Sequence, residues 1–83
     1  MFRIFVGNLN YQTDEQTVRD AFASFGEVAS VKFITDRETG RFRGFGFVEM
    51  PNDEEGRRAV DQLDGSELDG RRINVDEAKP RDR

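Results

Sequence analysis

The sequence predicts an α+β domain of the ferredoxin-like kind, with a four-stranded antiparallel sheet and two helices on one of its faces. Two observations predict it. The chain alternates strand-like and helix-like segments in the order β-α-β-β-α-β, and two such strand-helix-strand units place both helices on the same side of one sheet. The length of 83 residues suits one domain. We expect that domain to comprise residues 1–79, followed by a short charged tail at 80–83.

The first strand and the first helix follow from residue type and spacing. Residues 2–7 are rich in aromatic and β-branched side chains and end in a turn-forming Gly-Asn pair. Thr13 and Gln16 have the spacing of a capping box, which predicts a helix over residues 14–25 with Thr13 as its N-cap. Gly26 is expected to end this helix in a left-handed conformation. The apolar stripe of the helix consists of Val18, Ala21, Phe22 and Phe25.

The middle of the chain holds two further strands. Residues 28–36 alternate in polarity, as a half-buried strand does. One side of this strand carries Val31 and Phe33, and the other carries Lys32 and Ile34. Residues 37–44 contain a Thr-Gly turn and are expected to form a loop, after which residues 45–50 form the third strand. We expect Phe33, like Phe22 and Phe25, to lie in the core.

The second helix and the last strand complete the order. Asn52 is a suitable N-cap for a helix over residues 53–64, and the three acidic residues after it stabilise the positive end of the helix dipole. Gly65 is expected to end this helix. A turn at residues 69–70 then leads into a last strand over 72–77. The side chains expected to face the core are Ala59, Val60, Leu63, Ile73 and Val75.

The composition excludes several classes of function. The chain has no cysteine and no histidine, which rules out disulfides, thiolate or imidazole metal ligands and histidine-based catalysis. No apolar run has the length of a membrane span, and no signal-peptide core follows Met1. We therefore expect a cytoplasmic protein that needs no metal and no cofactor.

The distribution of charge matters more than its total. The net charge is −4, which by itself argues against a nucleic-acid partner. The two predicted helices hold three basic and eight acidic residues, a net charge of −5, and the rest holds ten basic and nine acidic residues, a net charge of +1. The acidic residues therefore lie mainly on the helices. The basic residues of strands and loops include Lys32, Arg37, Arg41 and Arg43.

One face of the sheet is predicted to be open and aromatic. Because strand side chains alternate, Ile4, Val6 and Val48 must face the helices, which leaves no polar residue in the core. The opposite face then carries Phe5, Phe45 and Phe47 beside Arg3, Lys32 and Glu49. A cluster of exposed aromatic rings calls for an explanation. Rings stack on unpaired bases and cations hold phosphates, so this face predicts binding of single-stranded nucleic acid.

Two segments resemble the motifs of a known family. Residues 43–50, Arg-Gly-Phe-Gly-Phe-Val-Glu-Met, resemble the RNP1 octamer of the RNA recognition motif at seven of eight positions. The eighth is usually Phe or Tyr and here is Met50, which faces inward and therefore bears on packing rather than on binding. Residues 4–9 resemble the RNP2 hexamer in full. The whole chain is similar to compact bacterial members of the family and to the N-terminal domains of plant glycine-rich RNA-binding proteins.

The resemblance implies roles for particular residues. Phe5 and one of Phe45 and Phe47 stack on bases or a sugar, Arg43 contacts a phosphate, and residues 74–79 touch base edges. It also implies single-stranded RNA as the partner, with single-stranded DNA as an alternative, and a role in RNA chaperoning or post-transcriptional regulation. We expect a monomer. The full set of predicted RNA-binding residues is Phe5, Phe45, Phe47, Arg43, Arg3, Lys32, Arg41, Asn74 and Lys79.

Three features near these motifs have plainer interpretations. Phe42 departs from the family pattern, and it either packs against its loop or offers a further stacking surface. Gly46 is interpreted as a small residue on the core face beneath a helix, because the glycine patterns of phosphate-binding loops are absent. The acidic residues at the start of each helix are explained by the helix dipole rather than by catalysis.

Two rival functions use the same fold. The aromatic face could instead dock a protein or form a homodimer, which the net charge of −4 favours. A hydrolase of ferredoxin-like architecture would need an anion-binding loop with a basic residue after the first strand. Residues 8–13 contain no basic residue. We therefore predict a binding module and not an enzyme.

Overall fold

The computed structural model describes residues 1–78 and has the predicted order of elements with one addition. The first five elements are β1 Phe2–Gly7, α1 Glu15–Ala23, β2 Ser30–Thr35, β3 Phe42–Met50 and α2 Asp53–Leu63. They are followed by β4 Glu67–Leu68, β5 Arg71–Arg72 and β6 Asn74–Glu77. Lys79 and the predicted tail lie outside the described residues, so the domain boundary at residue 79 stays a prediction.

The main sheet has four antiparallel strands in the order β2-β3-β1-β6. Helix α1 contacts β2, and α2 contacts β1, β3 and β6. Between the central strands β1 and β3, Ile4 pairs with Val48, and between β1 and the edge strand β6, Val6 pairs with Val75. The ferredoxin-like fold class predicted from the sequence is therefore confirmed.

The core lies between the helices and one face of this sheet. Its fully buried side chains include Ile4, Val6, Val48 and Met50, as the alternation of strand residues predicts. Phe22 of α1 is also fully buried. The partly buried hydrophobic residues packed against this core include Phe25, Phe33, Val60 and Leu63. Together with Val18, Ala59, Ile73 and Val75, which are buried, they are among the core residues that the sequence predicts.

The N-terminus of α1 differs from the predicted capping box. The N-cap is Asp14, whose carboxylate accepts a hydrogen bond of 2.9 Å from the backbone N–H of Thr17. The Thr13 hydroxyl is buried and donates instead to the Asp69 carboxylate at 2.7 Å. The prediction of Thr13 as the N-cap is wrong because its hydroxyl bonds to Asp69, 56 positions away. A local sequence pattern cannot reveal such a distant partner.

The C-terminus of α1 is also shorter than predicted. The helix ends at Ala23, and the backbone N–H of Phe25 bonds to the carbonyl of Phe22 at 3.0 Å in a tighter final turn. Gly26 does not have a positive φ, so its predicted left-handed conformation is wrong. By contrast, α2 begins at the predicted N-cap Asn52, which accepts from Glu55 N–H at 3.0 Å. The chain leaves α2 at Gly65, as expected, and Gly65 has a positive φ of 81°.

Strand β3 begins three residues earlier than predicted, at Phe42 rather than Phe45. Phe33 of β2 pairs with Gly46, whereas Thr35 pairs with Phe42, so β3 contains two extra residues at an irregularity in the ladder. The predicted loop is shortened to the turn after Asp36, whose N–H bonds to the Arg41 carbonyl at 2.7 Å. Such a bulge adds residues without breaking the strand, and the alternation pattern does not reveal it.

The last predicted strand is divided in two. The turn at residues 69–70 is present, but it closes a small separate hairpin between β4 and β5. Ile73 lies between this hairpin and β6, and its carbonyl accepts from Gly65 N–H at 2.9 Å. Because each strand of the hairpin is only two residues long, its sequence shows no detectable alternation of polar and apolar residues.

Gly46 has a different neighbour from the one predicted. A side chain there would meet the Lys32 carbonyl oxygen at 2.5 Å and the Phe33 Cα at 3.0 Å. The close contact is therefore with the adjacent strand β2 and not with a helix.

Candidate nucleic-acid interface

Three phenylalanine rings form one continuous aromatic surface on the sheet face opposite the helices. Phe5 of β1 pairs directly with Phe47 of β3, and their ring centroids are 5.9 Å apart at an angle of 64°. The rings of Phe5 and Phe45 are 5.8 Å apart at 38°. All three rings are half-buried, which leaves part of each accessible from solvent. The structure thus brings together the three aromatic residues that the sequence predicts at this site.

Charged side chains surround Phe47. The Arg3 guanidinium carbon lies 4.6 Å from the centroid of the Phe47 ring, within the range of a cation–π contact. Lys32 pairs with Phe47 from β2 and is exposed. Glu49 pairs with Arg3 and accepts a hydrogen bond of 3.0 Å from the Ser30 hydroxyl. This end of the aromatic surface therefore carries two cations and one carboxylate.

Arg43 lies at the other end, next to Phe45. It precedes Gly44, whose φ of 87° belongs to the irregularity in β3. The Gly44 carbonyl accepts from Leu9 N–H at 2.8 Å, which joins the end of the segment resembling RNP2 to the start of the segment resembling RNP1. Arg43 is exposed there, and its side chain lines a cleft with Phe5 and Phe45.

Arg43 also acts on a nearby carboxyl group. The pKa of Asp36 is lowered by hydrogen bonds from the backbone N–H groups of Glu38 and Thr39, and to a smaller extent by the positive charge of Arg43. Asp36 therefore stays ionised and partly balances the charge of Arg43.

Strand β6 adds two polar residues to the open face. Asn74 pairs with Gly7, and Asp76 pairs with Phe5 in the middle of the aromatic surface. Asn74 is exposed at this position, as predicted. Asp76 lies within the range 74–79 that the family resemblance implies, and the burial of Ile73 and Val75 together with the alternation rule places it on this face. The other predicted residue of this segment, Lys79, lies outside the described residues.

Two residues near the site lie away from the three rings. Arg41 lines a different cleft, with Tyr11, Phe42 and Arg43. Phe42 stacks on Phe33, with ring centroids 4.4 Å apart at 17°, and it packs against the core. One face of Phe42 is therefore occupied by Phe33, and the ring does not extend the aromatic surface of Phe5, Phe45 and Phe47.

Sequence reasoning missed two residues that the fold places beside the site. Tyr11, in the loop between β1 and α1, is 71% exposed. Arg71 of β5 donates a hydrogen bond of 2.8 Å to the side-chain oxygen of Asn8. The sequence does contain a signal for Tyr11, since it is a large aromatic residue within a polar loop. Arg71 had none, because its position depends on the small hairpin.

The described residues offer few other kinds of site. Within residues 1–78, no group of three or more acidic side chains is placed to hold a metal ion. No helix in this part of the chain is long and apolar enough to cross a membrane.

Comparison with known proteins places these features in a family context. The sequence profile of the RNA recognition motif matches residues 4–74. The chain is 51% identical over 80 residues to the glycine-rich RNA-binding protein blt801 of Hordeum vulgare, which covers 96% of this chain and 50% of the barley protein. It is 51% identical over 79 residues to the RNA-binding protein RbpB of Nostoc, covering 95% of this chain and 77% of that protein.

A solved structure matches the whole chain. The crystal structure of the RNA binding protein PG1 superposes with a TM-score of 0.92 at 46% sequence identity, and the alignment covers 100% of both chains. The chain thus spans about half the length of the barley relative and the full length of this solved chain.

Proposed function

The chain belongs to the RNA recognition motif family, and on this basis we propose that it binds single-stranded RNA on the open face of its sheet. Bases stack on Phe5, Phe45 and Phe47. The observation that carries the proposal is the continuity of these rings, whose centroids lie 5.8 and 5.9 Å apart on the face opposite the two helices of residues 1–78. The names of the relatives, which are RNA-binding proteins, support the same partner.

Stacking supplies most of the binding free energy in this proposal. Each base stacked on an aromatic side chain contributes about 1–3 kcal/mol. Only unpaired bases expose their faces, so single strands bind and duplexes do not. Two or three bases on the rings give an affinity on the order of micromolar.

The cations orient the strand by contacting phosphates. Arg3 and Lys32 serve one end of the aromatic surface and Arg43 the other. Few phosphates are neutralised, and each lowers log K by about 0.7 per unit of log salt concentration for a single strand. We therefore expect a shallow dependence on salt.

Base selectivity is assigned to β6. The Asn74 amide both donates and accepts hydrogen bonds, whereas the Asp76 carboxylate only accepts. Asp76 therefore favours bases that present amino or imino protons. These contacts do not involve the ribose 2′-hydroxyl, so single-stranded DNA of the same sequence also binds. The module acts by binding rather than by catalysis, in the service of RNA chaperoning or post-transcriptional regulation.

Phe47→Ala tests the proposal directly. Titration with a randomised single-stranded RNA heptamer should show an affinity about five-fold to a hundred-fold below that of the parent, from the loss of one stacked base. The matched control is Phe47→Tyr, which keeps the ring and should bind like the parent. Because Phe47 is only half-buried, thermal unfolding should show that both variants remain folded.

The contrary result is a folded Phe47→Ala variant that binds RNA as tightly as the parent. If the parent itself binds no RNA and its sedimentation mass rises with concentration, the aromatic face is a homodimer interface instead.

A further inference from the structure

Tyr11 is a large aromatic side chain whose ring lies mostly in solvent. It is 71% exposed, and its aromatic contact is with the edge of Phe42, at 6.3 Å between ring centroids and 78° between planes. A ring that served to cover Phe42 would be buried against it. Exposure of this extent leaves a ring face free for a ligand.

The backbone that carries Tyr11 is held in place on both sides. Before it, Leu9 N–H bonds to the Gly44 carbonyl, and the Asn10 side chain donates to the Asp69 carbonyl at 3.1 Å. After it, the Thr13 hydroxyl donates to the Asp69 carboxylate at 2.7 Å. The loop therefore does not need to be ordered when a ligand stacks on the ring, which lowers the entropic cost of binding.

A shallow cleft connects Tyr11 to the aromatic surface on the sheet. Phe5, Phe45 and Tyr11 all line this cleft, together with the side chains of Arg43 and Arg71. Its volume of 220 Å³ is below the roughly 300 Å³ at which small-molecule pockets begin. The cleft is thus a groove that a strand can cross rather than a pocket that encloses a ligand.

The charges along the cleft favour an anionic ligand. Arg43 and Arg71 are both exposed. Arg71 is positioned by its hydrogen bond to the Asn8 side chain. Because Asn8 is neutral, this contact does not neutralise the positive charge of Arg71. An aromatic ring beside two guanidinium groups matches a base and its phosphate, and it does not match an apolar peptide.

We propose that the RNA strand leaves the sheet along this cleft and stacks one further nucleotide on Tyr11, with its phosphate contacted by Arg43 and Arg71. The inference rests on the proposed function, because it extends the same strand beyond Phe5 and Phe45. It predicts that RNA longer than the sheet can hold gains affinity from Tyr11.

The test combines a variant with a change of RNA length. Randomised single-stranded RNAs of three and seven nucleotides are titrated into the parent, Tyr11→Ala, Tyr11→Phe and Phe47→Ala, and binding is followed by backbone amide NMR shifts. Tyr11→Ala should weaken binding of the heptamer by about five-fold or more and leave the trimer unchanged. Tyr11→Phe should bind both RNAs like the parent, since it keeps the ring. Phe47→Ala should weaken both.

A second pair of variants tests the phosphate contact. Arg71→Ala should weaken the heptamer and reduce its salt dependence, whereas Arg58→Ala, an exposed change on α2, should do neither.

Each other outcome overturns the proposal. If the parent binds the two RNAs equally tightly, or if Tyr11→Ala affects both lengths alike or neither, no nucleotide stacks on Tyr11. In those cases a loss of affinity in Phe47→Ala would still support binding on the sheet. If the parent binds neither RNA, the proposed function fails, and this inference fails with it.

Discussion

At the scale of single residues, a one-residue step along β3 decides between core and site. Gly46 and Val48 are buried, whereas Phe45 and Phe47, which alternate with them along the strand, are only half-buried. Full burial of a phenylalanine side chain contributes about 1.5–3 kcal/mol to the free energy of unfolding. Because these rings remain partly in contact with water, the fold gains only part of that stabilisation. In the proposed function, a base stacked on these rings restores the lost contact.

Gly44 is a second residue on which the site depends. Its φ of 87° is unfavourable for any other residue, and a Cβ would lie 3.2 Å from the Tyr11 ring. Gly44→Ala should therefore lower the free energy of unfolding by about 1–2 kcal/mol and also weaken RNA binding. Chemical denaturation and RNA titration measure the two effects.

Gly40→Ala is the matched control for this change. Gly40 also has a positive φ, 74°, but a Cβ there would meet nothing within 4 Å. It should lose a similar amount of stability and keep its affinity for RNA. A Gly44→Ala variant as stable as the parent would show that the strained conformation at this position is not required.

The residues of the site differ in how far sequence could predict them. Phe5, Phe45 and Phe47 follow from alternation within a strand, which is a local rule. Tyr11 does not, because its exposure depends on a loop fastened to residues more than fifty positions away, such as Asp69. Asp76 obeys the same local rule as the phenylalanines, and it also lies within the range 74–79 that the family resemblance implies.

At the scale of elements, the helix caps separate local from long-range determinants. Asn52 caps α2 as its sequence predicts. At α1 the cap moves from Thr13 to Asp14, because Thr13 is bonded to the hairpin formed by β4 and β5. That hairpin also accepts a hydrogen bond of 2.6 Å from Asn8 to the Arg72 carbonyl. Pairings of two residues are too short to be recognised in a sequence, so their effect on the first loop was not predictable.

The two caps should respond differently to pH. Hydrogen bonds from the Thr17 backbone N–H and hydroxyl lower the pKa of Asp14 below its ordinary value. The stabilisation from this carboxylate is therefore complete above the unfolded pKa of about 4 and is lost as the pH falls through the lower folded pKa. The Asn52 amide does not titrate.

Comparison of two alanine variants measures this difference. Asn52→Ala should lower the free energy of unfolding by about 1 kcal/mol at both pH 7 and pH 2. Asp14→Ala should be destabilised relative to the parent at pH 7 and less so at pH 2, as followed by chemical denaturation. An undiminished loss at pH 2 in Asp14→Ala would contradict the assignment of its carboxylate as the cap.

At the scale of the whole molecule, the fold places the acidic first turn of α2 away from the aromatic surface, which itself carries Glu49 and Asp76. The net charge of −4 is compatible with an RNA partner because three consecutive carboxylates lie in the first turn of α2, on the side of the sheet away from the aromatic rings. Charges beyond a Debye length of about 8 Å at physiological salt are largely screened, and a helix is about 10 Å across. The sequence predicted this separation correctly, since it needs only the order of elements and the composition of each.

The measurement that tests the account most directly is a titration of the isotopically labelled protein with the randomised RNA heptamer, followed by backbone amide NMR shifts. The largest shifts are predicted at Phe5, Phe45 and Phe47, with smaller ones at Asn74, while Arg58 on the outer side of α2 stays unperturbed. The absence of shifts at millimolar RNA, or shifts centred on the helices, would contradict binding on the open face of the sheet.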